Sequence, residues 1–242
     1  MKIRLDELLL QNNLVQDREK ARALIGAGEV LVNDCRVDKA GYLCDVTVSI
    51  RLKEHCPFVS RGGLKLEKGL EHFRIDPAGK VCLDVGASTG GFTDCLLQHG
   101  ARKVYAVDVA YGQLDWKIRQ NAAVVVLERC NARQLTPDLF AETLDLAVMD
   151  ASFISITKLI PPLLPLFGLQ AFALLALIKP QFELPREKVP KGGVVVQEEL
   201  HEEAIRRVSE FALLCGLGSS GTVASPLLGP KGNREFLIYL HS

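Results

Sequence analysis

The 242-residue sequence predicts an α/β fold: an open, mostly parallel sheet with helices on both faces, preceded by a small α+β module. Three observations carry that prediction. The run Val81-Cys82-Leu83-Asp84-Val85 enters the glycine-rich turn Gly86-Ala87-Ser88-Thr89-Gly90-Gly91, and Phe92-Thr93-Asp94-Cys95-Leu96-Leu97 continues at helical spacing. From there to the C-terminus, apolar runs of strand length alternate with amphipathic stretches of helical length. The first fifty residues follow neither rhythm. The organisation expected is a module over 1–52, a linker over 53–63 and the sheet domain over 64–242.

In the module, Leu5, Leu8 and Leu9 recur at helical spacing, and Asp17 caps a second helix whose apolar face carries Ala21, Leu24 and Ile25. Gly26 and Gly28 end that helix. Val30-Leu31-Val32 begins a strand that turns at Asn33-Asp34, and Val37 and 46–50 supply further short strands. Arg18 and Arg22 lie one helical turn apart with Lys20 beside them, which gives that helix a basic edge. A helix is expected to start near Leu64 and to carry Lys65, Lys68 and Leu70. Strands then fit 80–86, 103–109, 124–130, 144–150, 172–179, about 220–226 and 235–241. Helices fit 90–99, 112–120, 132–141, 156–166 and 197–215. Leu228-Gly229-Pro230-Lys231-Gly232-Asn233 is too short for a helical crossover, so the last strand should run antiparallel.

The glycine turn limits the ligand. A dinucleotide fingerprint, G-x-G-x-x-G, has a second glycine where this chain has Ser88, and a P-loop has G-K-[ST] where this chain has Gly90-Gly91-Phe92. What remains fits a cofactor without phosphate, its ribose hydroxyls on Asp108 at the end of the next strand. S-adenosyl-L-methionine is the obvious candidate.

Composition sets bounds. Lysine and arginine total 29, as do aspartate and glutamate, so nucleic-acid binding must come from local patches. The seven cysteines form no C-x-x-C and read as reduced residues of a cytoplasmic protein with no zinc site. The charged N-terminus, Lys2-Ile3-Arg4-Leu5-Asp6-Glu7, does not read as a signal peptide. The stretch 159–178 is uncharged and long enough for a bilayer. Pro161, Pro162, Pro165 and Gly168 break it, so it reads as a short helix, a turn and a buried strand, and no stable membrane association is expected.

Ligands of such sheets sit beyond the carboxyl ends of the strands. Those ends are Asp84 and Gly86, Asp108, Asn131, Asp150 and Lys179. A lysine closing a long uncharged stretch is costly unless paired or functional, and Asp150 on the neighbouring strand is its natural partner. A purely structural ion pair is the alternative. Lys65 and Glu235, which opens the last strand, stand in equally distinctive surroundings.

Arg4-Leu5-Asp6 and Leu8, with Arg18-Glu19-Lys20-Ala21-Arg22, Leu24-Ile25, Gly28, Val30 and Val32-Asn33, resemble an S4 RNA-binding domain. The resemblance implies RNA phosphate contacts from Arg4, Arg18, Lys20 and Arg22. Such contacts position a substrate without reading its sequence. A parallel sheet with an antiparallel last strand is similar to a Rossmann-like S-adenosylmethionine methyltransferase. The order Lys65, Asp150, Lys179, Glu235 resembles the catalytic tetrad of FtsJ-like RNA 2′-O-methyltransferases. Val59-Ser60-Arg61-Gly62-Gly63-Leu64-Lys65-Leu66, the Asp84–Asp94 turn, Lys179-Pro180-Gln181-Phe182-Glu183 and Lys191-Gly192-Gly193-Val194-Val195 are together similar to the haemolysin TlyA family of ribosomal RNA methyltransferases. That resemblance runs end to end. It implies cofactor contacts from Asp84, Gly86, Ser88, Gly90, Gly91, Phe92, Asp108, Asn131 and Asp150, and an RNA contact from Arg61. It implies ribosomal RNA or ribosomal subunits as partner, with a cytidine ribose as acceptor.

The chemistry suits those residues. A ribose hydroxyl ionises too weakly at neutral pH, and a desolvated Lys179 near the Lys65 cation is expected to have a depressed pKa and to act as base, or to stabilise the developing oxyanion. Asp150 orients Lys179, Glu235 holds Lys65 and the ribose, and no metal is needed. Asp150-Ala151-Ser152-Phe153 lacks the Asp/Asn-Pro-Pro-aromatic loop of base-amino methylation and the cysteine of cytosine C5 chemistry. The competing readings are a catalytically silent ribosome-assembly factor and a membrane-active haemolysin.

Overall fold

The computed structural model describes residues 2–52 and 56–242. Residues 53–55 of the expected linker lie outside the described residues. The chain divides into two compact units, one within the first 55 residues and one from Cys56 to Ser242.

In the first unit β1 (Lys2–Arg4) leads into α1 (Leu5–Gln11), and α2 (Arg18–Gly26) follows. Asp17 caps α2, its Oδ1 accepting from Lys20 N at 2.7 Å. β2 (Val30–Val32) and β3 (Cys35–Val37) form a hairpin through Asn33 and Asp34 at φ 49° and 62°, left-handed values that these two residue types tolerate. β4 (Leu43–Asp45) pairs with β1, and β5 (Ile50–Leu52) with β2. The strand expected over 46–50 is therefore displaced: Val48 N donates to Asp45 O, a turn, and only Ile50 enters a strand. Leu5, Leu8, Leu9, Ala21, Ile25, Val30 and Val32 form the core.

One charge sits in that unit's interior. Asp6 is fully buried, and its carboxylate accepts from Arg4 Nε (2.9 Å), Arg18 Nε (3.1 Å) and Arg22 Nε (3.3 Å). Arg18 also reaches Glu7 at 2.8 Å. The basic edge read from the sequence is thus partly turned inward onto acids, while the three arginines keep an exposed side.

The second unit opens with α3 (Gly62–Phe73). A seven-stranded sheet follows, built from β6 (Val81–Val85), β7 (Lys103–Asp108), β8 (Val124–Glu128), β9 (Leu146–Met149), β10 (Ala173–Ile178), β11 (Gly218–Ala224) and β12 (Phe236–His241). Their spatial order is β11-β12-β10-β9-β6-β7-β8. All pairings are parallel except those of β12, which runs antiparallel to both its neighbours. α4 (Gly91–Gln98) packs with α3 on one face, and α6 (Ile160–Leu163) and α8 (Glu198–Leu214) cover the other. With both faces covered, Leu174–Ile178 of β10 are fully buried, as continuous apolar strands require.

The long helices came out shorter wherever proline or glycine intervened. The segment 132–141 is two 3₁₀ turns, Ala132–Gln134 and Pro137–Leu139, because Pro137 forces Thr136 into extended backbone. The segment 112–120 forms a helix, α5, only over Trp116–Arg119, after Gly112 at φ 72° and an Asp115 cap. The segment 156–166 breaks into Ile156–Lys158, α6 and Leu164–Phe167, with Pro161, Pro162 and Pro165 at or near each start. No helix among the described residues is long and apolar enough to cross a membrane.

Asp6 yields a prediction. Its hydrogen bonds from Arg4, which outweigh the opposing effect of burial, and those from Arg18 and Arg22 hold its carboxyl well below the usual carboxylate range. A carboxyl depressed in the folded state stabilises at pH above its unfolded value of about 3.9 and loses that contribution as pH falls below it. Asp6→Ala should lower the stability of the first unit by about 2 kcal/mol at pH 7, with the difference shrinking below pH ~4. Chemical denaturation at both pH values checks this.

Candidate active site

The loop after β6 is shaped by glycines. Gly86 has φ 86°, and a Cβ there would lie 2.8 Å from Asp150 O; a Cβ at Gly91 would lie 2.2 Å from Ser60 Oγ. Ser88, where a dinucleotide-binding loop has glycine, holds φ 49°. Its amide donates to Asp108 Oδ2 at 2.8 Å, and Ala110 N donates to Oδ1 at 2.8 Å. Two backbone amides therefore fix the carboxylate at the end of β7. Asn131 Oδ1 accepts from Arg133 N at 3.1 Å and starts the 3₁₀ turn beyond β8.

Two clefts open at this rim of the sheet. One, about 520 Å³, is lined by Asp108, Ala110, Asn131, Ser152 and Phe153, among others. The other, about 410 Å³, is lined by Arg61, Lys65, Gly91, Phe92, Leu228 and Gly229, among others. Gly86, Ser88 and Asp150 line both, so the clefts meet over the glycine loop.

Two lysine–carboxylate pairs face that junction. Lys179 Nζ lies 2.5 Å from Asp150 Oδ1, and it donates a well-directed hydrogen bond to Ser152 Oγ at 2.7 Å. Lys65 Nζ donates to Glu235 Oε2 at 2.6 Å. Lys65 and Asp150 line the cleft, and Lys179 and Glu235 stand behind them, nearly or fully buried. Sheet topology makes the convergence. Asp150 and Lys179 leave adjacent parallel strands, whereas Ile178 of β10 pairs with Phe236 of antiparallel β12. That register sets Glu235, just before β12, at the same rim as Lys179.

Asp84 is placed differently from the other candidates. It is fully buried, lines neither cleft, and its Oδ2 accepts from Thr93 Oγ1 at 2.6 Å under the loop. Burial, reinforced by the nearby charges of Asp150 and Asp108 against the Thr93 hydrogen bond, pushes its carboxyl up to about 7. Gly90 lines neither cleft; its φ of 94° lets α4 begin close against Leu114. Arg4, Arg18, Lys20 and Arg22 belong to the first unit.

A donor of S-adenosylmethionine type can be tested against these residues. The Asp108 and Asp150 carboxylates border the cleft over the glycine loop, and a cationic ligand suits such an acidic, glycine-cradled site. With the Asp108 carboxylate held at the rim by two backbone amides and no lysine in the glycine loop for a phosphate, the residues fit that cofactor.

Several participants carry no motif of their own. Ser152 is found only through its bond to Lys179. Gly229 gives space to Glu235, since a Cβ there would lie 2.0 Å from Glu235 Oε1. Asn233 accepts from Val195 N (2.9 Å) and donates to Gly193 O (2.8 Å), pinning the Lys191–Val195 segment beside the start of β12.

Fold and rim together define a Rossmann-like methyltransferase domain, and comparison agrees: residues 58–242 match the model for FtsJ-like methyltransferases and residues 3–50 that for the S4 domain. The chain is 43% identical over 241 residues to the 16S/23S rRNA (cytidine-2′-O)-methyltransferase TlyA of Mycobacterium tuberculosis, covering 99% of this chain and 90% of that one. It is 40% identical to Hemolysin A of Brachyspira hyodysenteriae, covering 98% and 99%. A solved structure described as a hemolysin, from Streptococcus thermophilus, superposes with a TM-score of 0.76 at 41% identity, covering 100% of this chain and 88% of that one. The chain belongs to the TlyA family, an S4 domain followed by an FtsJ-like methyltransferase domain.

Two predictions follow from the geometry. Gly229→Ala should displace the Glu235 carboxylate and weaken the Lys65 pair, lowering methyl transfer while leaving affinity for S-adenosylhomocysteine intact; kinetics with parallel calorimetry checks this. Asp84 is raised in the folded state, so its penalty to stability is absent below the unfolded value of about 3.9, grows as pH rises toward 7, and levels off above. Asp84→Asn should flatten the melting temperature of the cofactor-free protein across that window, and a curve of unchanged slope would contradict the assignment.

Proposed function

We propose that this protein transfers a methyl group from S-adenosylmethionine to a ribose 2′-hydroxyl of ribosomal RNA. The observation that carries the reading is the meeting of two lysine–carboxylate pairs at one cleft, joined to a glycine-cradled cofactor cleft through Asp150. The relative from M. tuberculosis carries cytidine-2′-O methylation of 16S and 23S rRNA in its name, which makes a cytidine ribose the acceptor of choice.

Gly86, Ser88, Asp108 and Asn131 would hold the cofactor, with Gly91 and Phe92 bounding the neighbouring cleft. When bound, it supplies an electrophilic methyl carried on a sulfonium. The protein's part is to place the hydroxyl oxygen in line with that methyl and to manage one proton. As a free amine, Lys179 would take the 2′-OH proton on Nζ; as an ammonium, it would stabilise charge building on that oxygen. Asp150 and Ser152 fix the direction of Nζ. Glu235 fixes Lys65, whose ammonium lines the cleft and adds positive potential beside the acceptor. Positioning by these groups converts an encounter into a near-attack geometry.

RNA reaches the site by charge and by stacking. Arg61 lines the cleft next to Lys65 and suits a phosphate of the target strand. Phe153 is 91% exposed and lines the cofactor cleft, which offers an aromatic face to an unstacked base. Arg4, Arg18, Lys20 and Arg22 of the S4 domain would supply sequence-independent phosphate contacts, and a ribosomal substrate would put the protein's work in the cytoplasm.

With labelled cofactor and rRNA or ribosomal subunits, the wild-type protein should transfer methyl, and Lys179→Ala should lose roughly a hundred- to ten-thousandfold of that rate while still binding S-adenosylhomocysteine. Turnover retained in that variant would remove Lys179 from the mechanism.

A further inference from the structure

Lys179 and Asp150 leave adjacent strands into a short helical turn over 180–183 and a loop over 151–155, which no strand ladder joins. Three contacts in succession join them. Lys179 bonds Ser152, the rings of Phe182 and Phe153 sit 5.3 Å apart, and Glu183 closes the far end. Glu183 is 7% exposed; its Oε1 accepts from Ile156 N at 2.9 Å and its other oxygen from Ser155 Oγ. Ser155 in turn caps the 3₁₀ turn Ile156–Lys158 through Thr157 N at 3.2 Å. Glu183 is the last residue of the one-turn helix α7 (Pro180–Glu183), which starts immediately after Lys179.

Between those anchors Phe153 holds φ 65°, a strained conformation that a bulky aromatic avoids. Such strain persists only where the surroundings over-determine it. A buried carboxylate is likewise a poor choice for packing alone, since an apolar residue of similar volume is usually at least as stable. The strain lies in the loop that carries Asp150 at its root and Ser152 and Phe153 on its cleft side, and the buried carboxylate of α7 is the group that holds that loop's far end.

From this, we infer that Glu183 is a positioning residue for methyl transfer: its carboxylate clamps the 151–156 loop to the 179–183 segment and so fixes Ser152 on Lys179 and Phe153 over the cleft. The inference rests on the methyl-transfer reading for its kinetic arm. Its structural arm stands independently. Removing the clamp lets the loop relax by the fraction of an ångström to an ångström that a near-attack geometry does not tolerate.

The test uses the full-length protein and Glu183→Ala, Glu183→Gln and Ser155→Ala, read by steady-state transfer to rRNA, S-adenosylhomocysteine calorimetry, thermal unfolding and hydrogen exchange. In Glu183→Ala, kcat should fall roughly a hundredfold with cofactor-product affinity and melting temperature little changed. Exchange should accelerate at the Ile156 amide and across 151–157 while the sheet stays protected. Glu183→Gln keeps an acceptor for Ile156 N and should recover part of the rate. Ser155→Ala combined with Glu183→Ala should cost no more than Glu183→Ala alone, because both act through one network. The inference is overturned if Glu183→Ala and Ser155→Ala both keep wild-type kcat, or if lost activity is matched by lost cofactor-product affinity and a collapsed melting temperature. Should Glu183→Ala fail to fold, Glu183→Gln and Ser155→Ala decide by the same criteria. If the wild-type protein transfers no methyl, the functional reading fails on its own, and the clamp is judged by whether the Glu183 variants unprotect 151–157.

Discussion

A buried ammonium has to be paired, and most of what is distinctive in the second unit follows from meeting that requirement at Lys179. The lysine closes a strand whose residues Leu174–Ile178 are fully buried, so its charge stands at the edge of a low-dielectric core. Asp150, at the end of the next strand, provides the counter-charge and Ser152 a hydrogen-bond acceptor. The pair is therefore a constraint on the sheet: β9 and β10 must stay in register, and both following loops must turn toward the same rim.

The rest of the rim extends that arrangement. Had β12 run parallel, Glu235 would have emerged at the opposite edge of the sheet; the antiparallel pairing of Phe236 with Ile178 returns it beside Lys179. There it meets Lys65 in the first turn of α3, a helix brought close to the sheet because Gly69 leaves no Cβ against Leu175. The same glycine economy lets the loop after β6 run under Asp150, where a Cβ at Gly86 would meet the Asp150 carbonyl. Four segments far apart in sequence thus bring two lysines and two carboxylates to one rim, where the two clefts meet.

Much of this was legible in the chain, for physical reasons. Continuous apolar runs reported the sheet because both of its faces are covered, and the short Leu228–Asn233 connection reported the antiparallel strand. Lys179 announced itself as a charge at the end of an uncharged stretch. Less legible were the helices after β7, β8 and β9, where periodicity suggested full turns but Gly112, Pro137 and the prolines at 161, 162 and 165 restrict the backbone to short pieces. The basic edge of the first unit was read from spacing alone; spacing does not reveal that Asp6, one helix away, gathers three of the arginines. Nor does it reveal Ser152, Gly229, Asn233 and Glu183, whose parts depend on contacts across loops and on space that only packing defines.

A crystal structure of the protein with S-adenosylhomocysteine would decide where the methyl donor sits relative to Lys179. The ligand's sulfur should lie over the Gly86–Gly91 turn on the side of the Asp150–Lys179 pair, with its ribose hydroxyls on Asp108. A ligand seated away from that rim, or one whose sulfur faces away from Lys179, would contradict that placement.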